Sequence, residues 1–283
     1  MSLLRRATPI ALLAAASCSD IQSPLDPTPE TRSYPGFDTS IYPGDAAMRA
    51  WLNPGSPYEW VGYYLPAPCH RDITWSGKRP ALTAMGWGLA VIYVGQQTFE
   101  GIPAISVAPQ AYATRSIARA TINEDRTIEP TCSRTLLTRA QGITDANDAI
   151  AKTLLEGFPA GTTIFLDIEY MTTIPASMEA YYRAWVERVL ADGKFRPGIY
   201  AHRFNALSIY AGASEAYRAA GSVSQPAFWI ASTAGFALGK HPTDTGFDFA
   251  VAWQGILDTP QTWNGHTINI DVNVASSRSP SAP

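Results

Sequence analysis

Two acidic residues, Asp167 and Glu169, alternate with aliphatic residues in the segment Thr163–Tyr170. Side chains alternate between the two faces of a strand, so both acids share one face, with their backbones about 6.6 Å apart. Carboxyl groups this close raise the pKa of one another, and a raised pKa is what a general acid needs at neutral pH. Glu169 is the candidate acid because it lies further along the strand and is longer, and we expect the charge on Asp167 to raise its pKa.

Two further acids also lie on the inward face of a predicted strand. Asp271 alternates with the apolar residues of 268–274, and Asp38 lies on the first predicted strand, 36–39. A single Asp after a strand is most often a helix cap or a turn residue. Four acids on inward faces at separate strand ends instead predict one catalytic cluster.

Aromatic residues and one histidine are concentrated near the same strand ends. Such rings bind sugar faces, although each one alone could equally belong to the core. The candidate substrate-binding residues are Tyr64, Tyr93, Tyr170, Tyr200, His202, Trp229 and Trp253.

Eight short β-rich runs recur along the 283 residues, and helix-period segments separate several of them. This alternation is typical of parallel strands joined by crossover helices, and eight strands close a TIM-type α/β barrel. The predicted strands are 36–39, 61–65, 89–95, 163–169, 197–201, 227–232, 249–254 and 268–274.

The spacing of apolar residues predicts helices after several of these strands. Ile143, Ile150 and Leu154 predict one helix, with Thr144 as its cap. Later intervals, 233–248 and 255–267, are too irregular for crossover helices. A long interval without helix periodicity, 97–141, predicts a functional excursion between strands 3 and 4.

The N-terminal residues 1–18 have the order of a secretory signal, with a basic start, an apolar run and small residues before Cys18. We therefore expect an exported protein, periplasmic or extracellular. The segment ending at Cys18 resembles a bacterial lipobox, so this cysteine is either lipidated, anchoring the chain to the envelope, or lost or left free after ordinary cleavage. Residues 19–35 predict a Pro- and Ser-rich tether, 36–275 the barrel and 276–283 a disordered tail.

The remaining cysteines, Cys69 and Cys132, are expected to form a disulfide in an oxidising compartment, the alternative being two buried thiols. With 21 basic and 24 acidic residues, the chain lacks the positive surface that nucleic-acid binding needs. No zinc-site spacing, Walker motif or Rossmann glycine pattern occurs, so we predict neither a metal nor a cofactor. No segment after the leader approaches the ~20 apolar residues of a membrane span. We expect the protein to be a monomer.

Several segments spread over 36–275 resemble the glycoside-hydrolase-like domain of exported bacterial proteins catalogued as domain of unknown function 1906. They are Gly36–Ser40, Trp60–Leu65, Gly88–Gln97, Gly142–Ala149, Ile164–Tyr170 and Arg196–Ala201. That domain is similar to the glycoside hydrolase family 25 lysozymes, which Phe228–Ala231, Val251–Gln254 and Ile270–Val274 also resemble. The resemblance implies a (β/α)5(β)3 barrel, which agrees with the irregular late intervals.

In those lysozymes an Asp on the first strand, an Asp-x-Glu pair and a late Asp line the cleft, with the Glu as general acid. The matching positions are Asp38, Asp167, Glu169 and Asp271. The resemblance implies hydrolysis of the β-1,4 linkage of an amino-sugar polymer such as peptidoglycan. Two other functions stay open: a non-catalytic glycan-binding or envelope protein that uses the same cleft, and an exported effector whose barrel only scaffolds partner contacts.

Overall fold

A computed structural model describes residues 32–99 and 132–283. In this part of the chain, eight strands form a closed barrel in chain order, which confirms the predicted TIM-type barrel. Strands β1 to β7 run parallel, whereas β8 is antiparallel to both of its neighbours, β7 and β1. The strands are β1 Tyr34–Asp38, β2 Trp60–Tyr64, β3 Gly88–Val94, β4 Thr163–Ile168, β5 Arg196–His202, β6 Ala227–Ala231, β7 Ala250–Trp263 and β8 His266–Ala275.

An α-helix follows each of the first five strands. Only a short 3-10 helix, Pro242–Thr245, lies between β6 and β7, and a tight turn joins β7 to β8. The barrel therefore has the five β/α units and three late strands that the resemblance implied. The helices are α1 Asp45–Trp51, α2 Arg79–Met85, α3 Arg139–Leu155, α4 Ala176–Asp192 and α5 Arg203–Ala219, with a 3-10 helix, Arg134–Leu136, before α3.

The strands divide their side chains between two apolar cores. One face of each strand packs under the helices, as Ile164 and Leu166 of β4 do. The other face fills the barrel interior, where Phe165 contacts the indole of Trp229. Alternation along β4 thus directs Asp167, two residues after Phe165, toward the barrel axis.

Helix α3 differs from its predicted form. It begins at Arg139 with Thr138 as its cap, whereas Thr144 lies inside the helix and Ile143 and Leu154 are exposed. Ile150 is buried as predicted, but most of the buried face is made of smaller residues. Helix α3 packs closely on α4 there: a Cβ at Gly142 would lie 2.3 Å from a carbonyl oxygen of that helix. An apolar stripe of larger residues was therefore the wrong guide to the buried face.

The C-terminal tail is not disordered, contrary to the prediction for 276–283. Ser281 is buried, accepts a hydrogen bond from the backbone N–H of Val91 on its Oγ (2.7 Å), and accepts another from Thr163 on its carbonyl (2.9 Å). These contacts satisfy backbone groups at the starts of β3 and β4, so the tail closes the N-terminal end of the barrel.

Three sequence predictions lie outside the described residues: the leader with Cys18, the tether up to residue 31, and residues 100–131 of the excursion. The barrel begins at Tyr34, two residues before its predicted start. Among the described helices, none combines the length and the apolar character needed to cross a membrane.

Candidate active site

A small pocket opens at the C-terminal end of the barrel, where β1 and β4 end. Its volume is about 60 Å³. In the described part of the chain its lining includes four carboxylic acids and no Lys or Arg. The lining residues are Asp38, Tyr64, Ile92, Asp167, Glu169, Tyr200, Trp229, Gln254 and Asp271.

Asp38 is the last residue of β1 and accepts three hydrogen bonds. The hydroxyl of Tyr64 donates to Oδ1 (2.6 Å), and the side-chain amides of Gln254 and Asn273 donate to Oδ2 (2.9 and 2.8 Å). Burial raises the pKa of Asp38, while these three donors oppose the rise. Asp38 is therefore the carboxyl group in the pocket best equipped to hold a negative charge.

Asp167 lies on β4 and is buried in the wall of the pocket that faces this hydrogen-bonded group. Its Oδ1 makes no hydrogen bond within the described residues. Burial raises the pKa of Asp167 well above its ordinary value, and the charges of Glu169 and Asp38 raise it further. The raised pKa favours the protonated form of Asp167, which can donate a hydrogen bond to a ligand.

Glu169 follows β4 and is exposed at the mouth of the pocket. The protein around this mouth replaces much of its hydration and raises the pKa of Glu169; the backbone N–H of Tyr170 opposes the rise and the charge of Asp38 adds to it. We expected Asp167 to supply that charge. Instead, the interaction between the two side chains raises the pKa of Asp167.

The backbone on both sides of Ile168 is held by one buried side chain, Gln97. Its Nε2 donates to the carbonyl of Asp167 (2.9 Å), and its Oε1 accepts from the N–H of Glu169 (3.1 Å). Gln97 is 1% exposed. The side chain thus fixes the end of β4 and the direction in which Glu169 leaves it.

Asp271 of β8 lies opposite Asp38 in the antiparallel register. It accepts hydrogen bonds from the backbone N–H of Asp258 (2.7 Å) and from Gln254 Nε2 (3.1 Å). Burial and the charge of Asp38 raise the pKa of Asp271 to about 8. Asp258 has a φ of 48°, at an irregularity in β7 that turns its N–H toward Asp271, and adds a fifth, exposed carboxylate near the pocket.

Three of the predicted aromatic residues line the pocket: Tyr64, Tyr200 and Trp229. The hydroxyl of Tyr200 donates to Gln254 Oε1 (2.6 Å), which orients that amide toward the carboxyl groups. Tyr170 and His202 lie outside the pocket and contact each other, with ring centroids 5.1 Å apart.

Two of the predicted sugar-binding residues face away from the pocket, and those two assignments were wrong. The hydroxyl of Tyr93 donates to Asp148 on α3 (2.8 Å), because Ala90 and Ile92 occupy the inward positions of β3. Trp253 likewise points outward and packs on Phe236, with ring centroids 5.2 Å apart.

Cys69 and Cys132 form a disulfide, with Cα atoms 4.7 Å apart. The bridge joins the loop after β2 to the segment before α3. The residue next to it, His70, stacks on Tyr64, with ring centroids 4.7 Å apart. The disulfide therefore supports the pocket wall that contains Tyr64.

The sequence analysis missed Gln97 and Gln254, the two amides that organise the carboxyl groups. Gln254 could have been found from strand parity, because it alternates with the outward Trp253. Gln97 carries no such signal, since it acts from a loop. Among the described residues, no group of three or more His, Cys, Asp or Glu side chains is arranged to hold a metal ion.

The site thus holds four carboxyl groups whose pKa values are all raised, and in Asp38 three side-chain donors oppose the rise. Such a set can transfer a proton and can stabilise positive charge that develops on a bound molecule. A family model for the Rv2525c-like, glycoside hydrolase-like domain matches residues 49–275. The chain belongs to this family. Membership in the Rv2525c-like family agrees with the glycoside-hydrolase resemblance of the sequence.

Solved structures share the fold of this Rv2525c-like chain at low sequence identity. An uncharacterised B. stearothermophilus protein has 17% identity and a TM-score of 0.50, with 86% of this chain and 95% of that one covered. The Clostridium perfringens spore cortex lytic enzyme SleM has 11% identity and a TM-score of 0.50, with 87% and 68% covered.

A third structure, the modular autolysin LytC from Streptococcus pneumoniae, has 11% identity and a TM-score of 0.52. The match covers 86% of this chain and 46% of LytC. None of the curated proteins compared with the chain is significantly similar to it.

Proposed function

We propose that this protein is an exported glycoside hydrolase that cleaves an amino-sugar polymer such as peptidoglycan, with Glu169 as the general acid. The position and the pKa of Glu169 carry the proposal: the side chain is accessible at the mouth of the pocket, and its pKa is raised. A carboxylic acid that keeps its proton near neutral pH can protonate the oxygen of a leaving sugar.

The other acids have separate roles in this proposal. Asp38 carries the negative charge that stabilises a positively charged anomeric carbon in the transition state. Asp167 has a raised pKa, and its buried Oδ1 has no partner among the described residues; in its protonated form it donates a hydrogen bond to the substrate amide. Asp271, whose pKa is raised to about 8, keeps a second negative charge out of the pocket at neutral pH.

Three of the aromatic residues predicted to bind substrate, Tyr64, Tyr200 and Trp229, would form the wall on which the bound sugar rests. The substrate N-acetyl group is a possible nucleophile, so a retaining outcome would not require a protein nucleophile. Residues 1–18 support export, and the Cys69–Cys132 bridge fits an oxidising compartment. Lipid attachment at Cys18 would hold the protein at the envelope.

A second function, glycan binding without cleavage, is favoured by one observation. The pocket has a volume of about 60 Å³. Ligand clefts are usually much larger, with volumes of about 300 Å³ or more. In this alternative the acids would only hydrogen-bond sugar hydroxyls.

Incubation with purified peptidoglycan, chitin oligosaccharides and cellulose separates the two functions. The proposal expects new reducing ends from peptidoglycan or chitin oligosaccharides, none from cellulose, and none with the Glu169→Gln variant. The surface variant Glu187→Gln is the matched control, because Glu187 pairs only with Arg139 on the exposed side of α3 in the described contacts. Retention of the polymer without new reducing ends would favour the binding function.

A further inference from the structure

The acid pocket is too small to hold a polymer by itself, and a larger groove lies beside it. The groove has a volume of about 460 Å³, within the usual range of ligand clefts. It runs between the loop that follows β4, at Thr172 and Thr173, and the exposed side of α5 at Phe204 and Ser208.

We propose that this groove is an outer subsite that binds the continuing glycan chain, with Phe204 as the ring on which a sugar stacks. The subsite takes its ligand class from the proposed function, and it extends that function from the reacting linkage to the neighbouring sugars.

A continuous path of residues joins the groove to the acid pocket. Glu169 lines the pocket and Tyr170 follows it in the chain, while Phe204 lines the groove. The rings of Tyr170 and Phe204 have centroids 6.2 Å apart, and His202 contacts both at 5.1 Å. Tyr170 is 51% and Phe204 77% exposed, so much of each ring is accessible to a ligand within the described structure. Exposed clustered rings of this kind are unusual unless they bind something.

The rings are held in place before any ligand arrives. The buried side chain of Asn205 accepts a hydrogen bond from the N–H of Met171 (3.0 Å) and donates to its carbonyl (2.8 Å). These two bonds tie the residue after Tyr170 to the first turn of α5, where Phe204 lies. A preorganised surface loses little conformational entropy on binding.

The lining of the groove suits sugar hydroxyls. Thr172, Thr173 and Ser208 present exposed hydroxyl groups. The two carboxylates of the groove, Glu179 and Glu215, are both paired with Arg183 at 3.1 and 2.8 Å. A helical peptide partner would instead need a mainly apolar groove.

Calorimetry of chitobiose and chitohexaose binding tests the subsite. The full chain carries Glu169→Gln in these measurements, because this substitution prevents turnover. Replacing Phe204 by Ala should weaken chitohexaose binding about tenfold, as for loss of one aromatic anchor, and leave chitobiose binding unchanged. Phe204→Trp should restore it, because the ring face returns. Ser208→Trp should also weaken it, by filling the groove. Val223→Ala, at a fully exposed site outside the groove, is the control.

Failure of the subsite can be told apart from failure of the proposed hydrolysis. If Phe204→Ala and Ser208→Trp fold as judged by thermal unfolding and bind chitohexaose as tightly as the parent, or if the parent binds no oligosaccharide, the subsite is wrong. If wild-type protein cleaves nothing but its binding still depends on Phe204, the subsite stands and the hydrolysis is wrong.

Discussion

The indole Nε1 of Trp229 donates a hydrogen bond of 3.0 Å to Oδ1 of Asn273. Because an indole N–H can only donate, this contact fixes the Asn273 amide with Nδ2 toward Asp38, to which it donates at 2.8 Å. The amide therefore offers Asp38 a donor that cannot become an acceptor. Donors of this kind favour a carboxylate, so Asp38 is the carboxyl group of the pocket that is best suited to carry a negative charge.

Replacing Asp38 by Asn should lower the pKa of both Glu169 and Asp271, because the charge on Asp38 raises both. If the protein is a hydrolase, the alkaline limb of its pH–rate profile then moves to lower pH. The maximal rate should also fall about 10²-fold, a usual cost of losing one charge-stabilising group. Asp167→Asn should leave the limb in place, because the interaction between the two side chains raises the pKa of Asp167 and not that of Glu169. A limb that shifts in Asp167→Asn and not in Asp38→Asn would reverse this assignment.

Gln97 should act on the rate through the position of Glu169. Gln97→Leu keeps a side chain of similar size but loses both hydrogen bonds to the end of β4, and small displacements of a catalytic group cost up to about 10²-fold. We expect kcat to fall at least about tenfold with little change in KM. Gln225→Leu, at a surface glutamine bonded only to Tyr210 among the described contacts, is the control. An unchanged kcat in folded Gln97→Leu would remove the positioning role.

Asp271 should make a contribution to the free energy of unfolding that falls as pH rises. The folded state keeps a proton on Asp271 up to about pH 8, whereas an unfolded Asp releases it near about 4. The folded state therefore binds more protons between these values, so stability is present at low pH and lost across this window.

Thermal unfolding at pH 5 and at pH 8 checks this dependence. The difference in Tm between the two conditions should shrink in Asp271→Asn by at least about 2 °C, the shift that about 1 kcal/mol gives in a domain of this size. The exposed Asp248→Asn serves as the control. An equal pH dependence in wild type and Asp271→Asn would contradict the raised pKa.

Removal of the disulfide should destabilise the protein. The bridge closes a loop with a sequence separation of 63 residues, and a native disulfide contributes about 2–4 kcal/mol. The double variant Cys69→Ser, Cys132→Ser should lower Tm accordingly. A peptide map of unreduced protein should recover the two cysteines in one linked pair. Two free thiols at these positions would show that the bridge does not form.

The alternation of side chains along the strands predicted much of the fold and of the candidate site. Alternation along β4 and β8 was sufficient to place Asp167 and Asp271 on inward faces. A shift of one residue in either strand would have moved its apolar side chains to the opposite face. The same rule would have excluded Tyr93, whose neighbours Ala90 and Ile92 point inward.

Other features depend on contacts that one sequence does not display. The buried face of α3 is mostly made of small residues that allow close approach to α4, so Ile143 and Leu154 were misleading although Ile150 is buried. The tail 276–283 is ordered by backbone hydrogen bonds at the bottom of the barrel, which its Ser- and Pro-rich composition does not reveal. The charge distribution also required coordinates, since three side-chain donors oppose the rise in the pKa of Asp38, whereas burial and neighbouring charges raise that of Asp167.

The central claim, that Glu169 protonates the leaving sugar, is tested most directly by comparing two substrates with the Glu169→Gln variant. A natural amino-sugar linkage needs a proton on its leaving oxygen. In a dinitrophenyl glycoside of the same sugar, the dinitrophenolate group leaves without one. The account predicts a loss of about 10²-fold or more on the natural linkage and a much smaller loss on the dinitrophenyl glycoside. Equal losses on both substrates, or near-normal cleavage of the natural linkage, would contradict it.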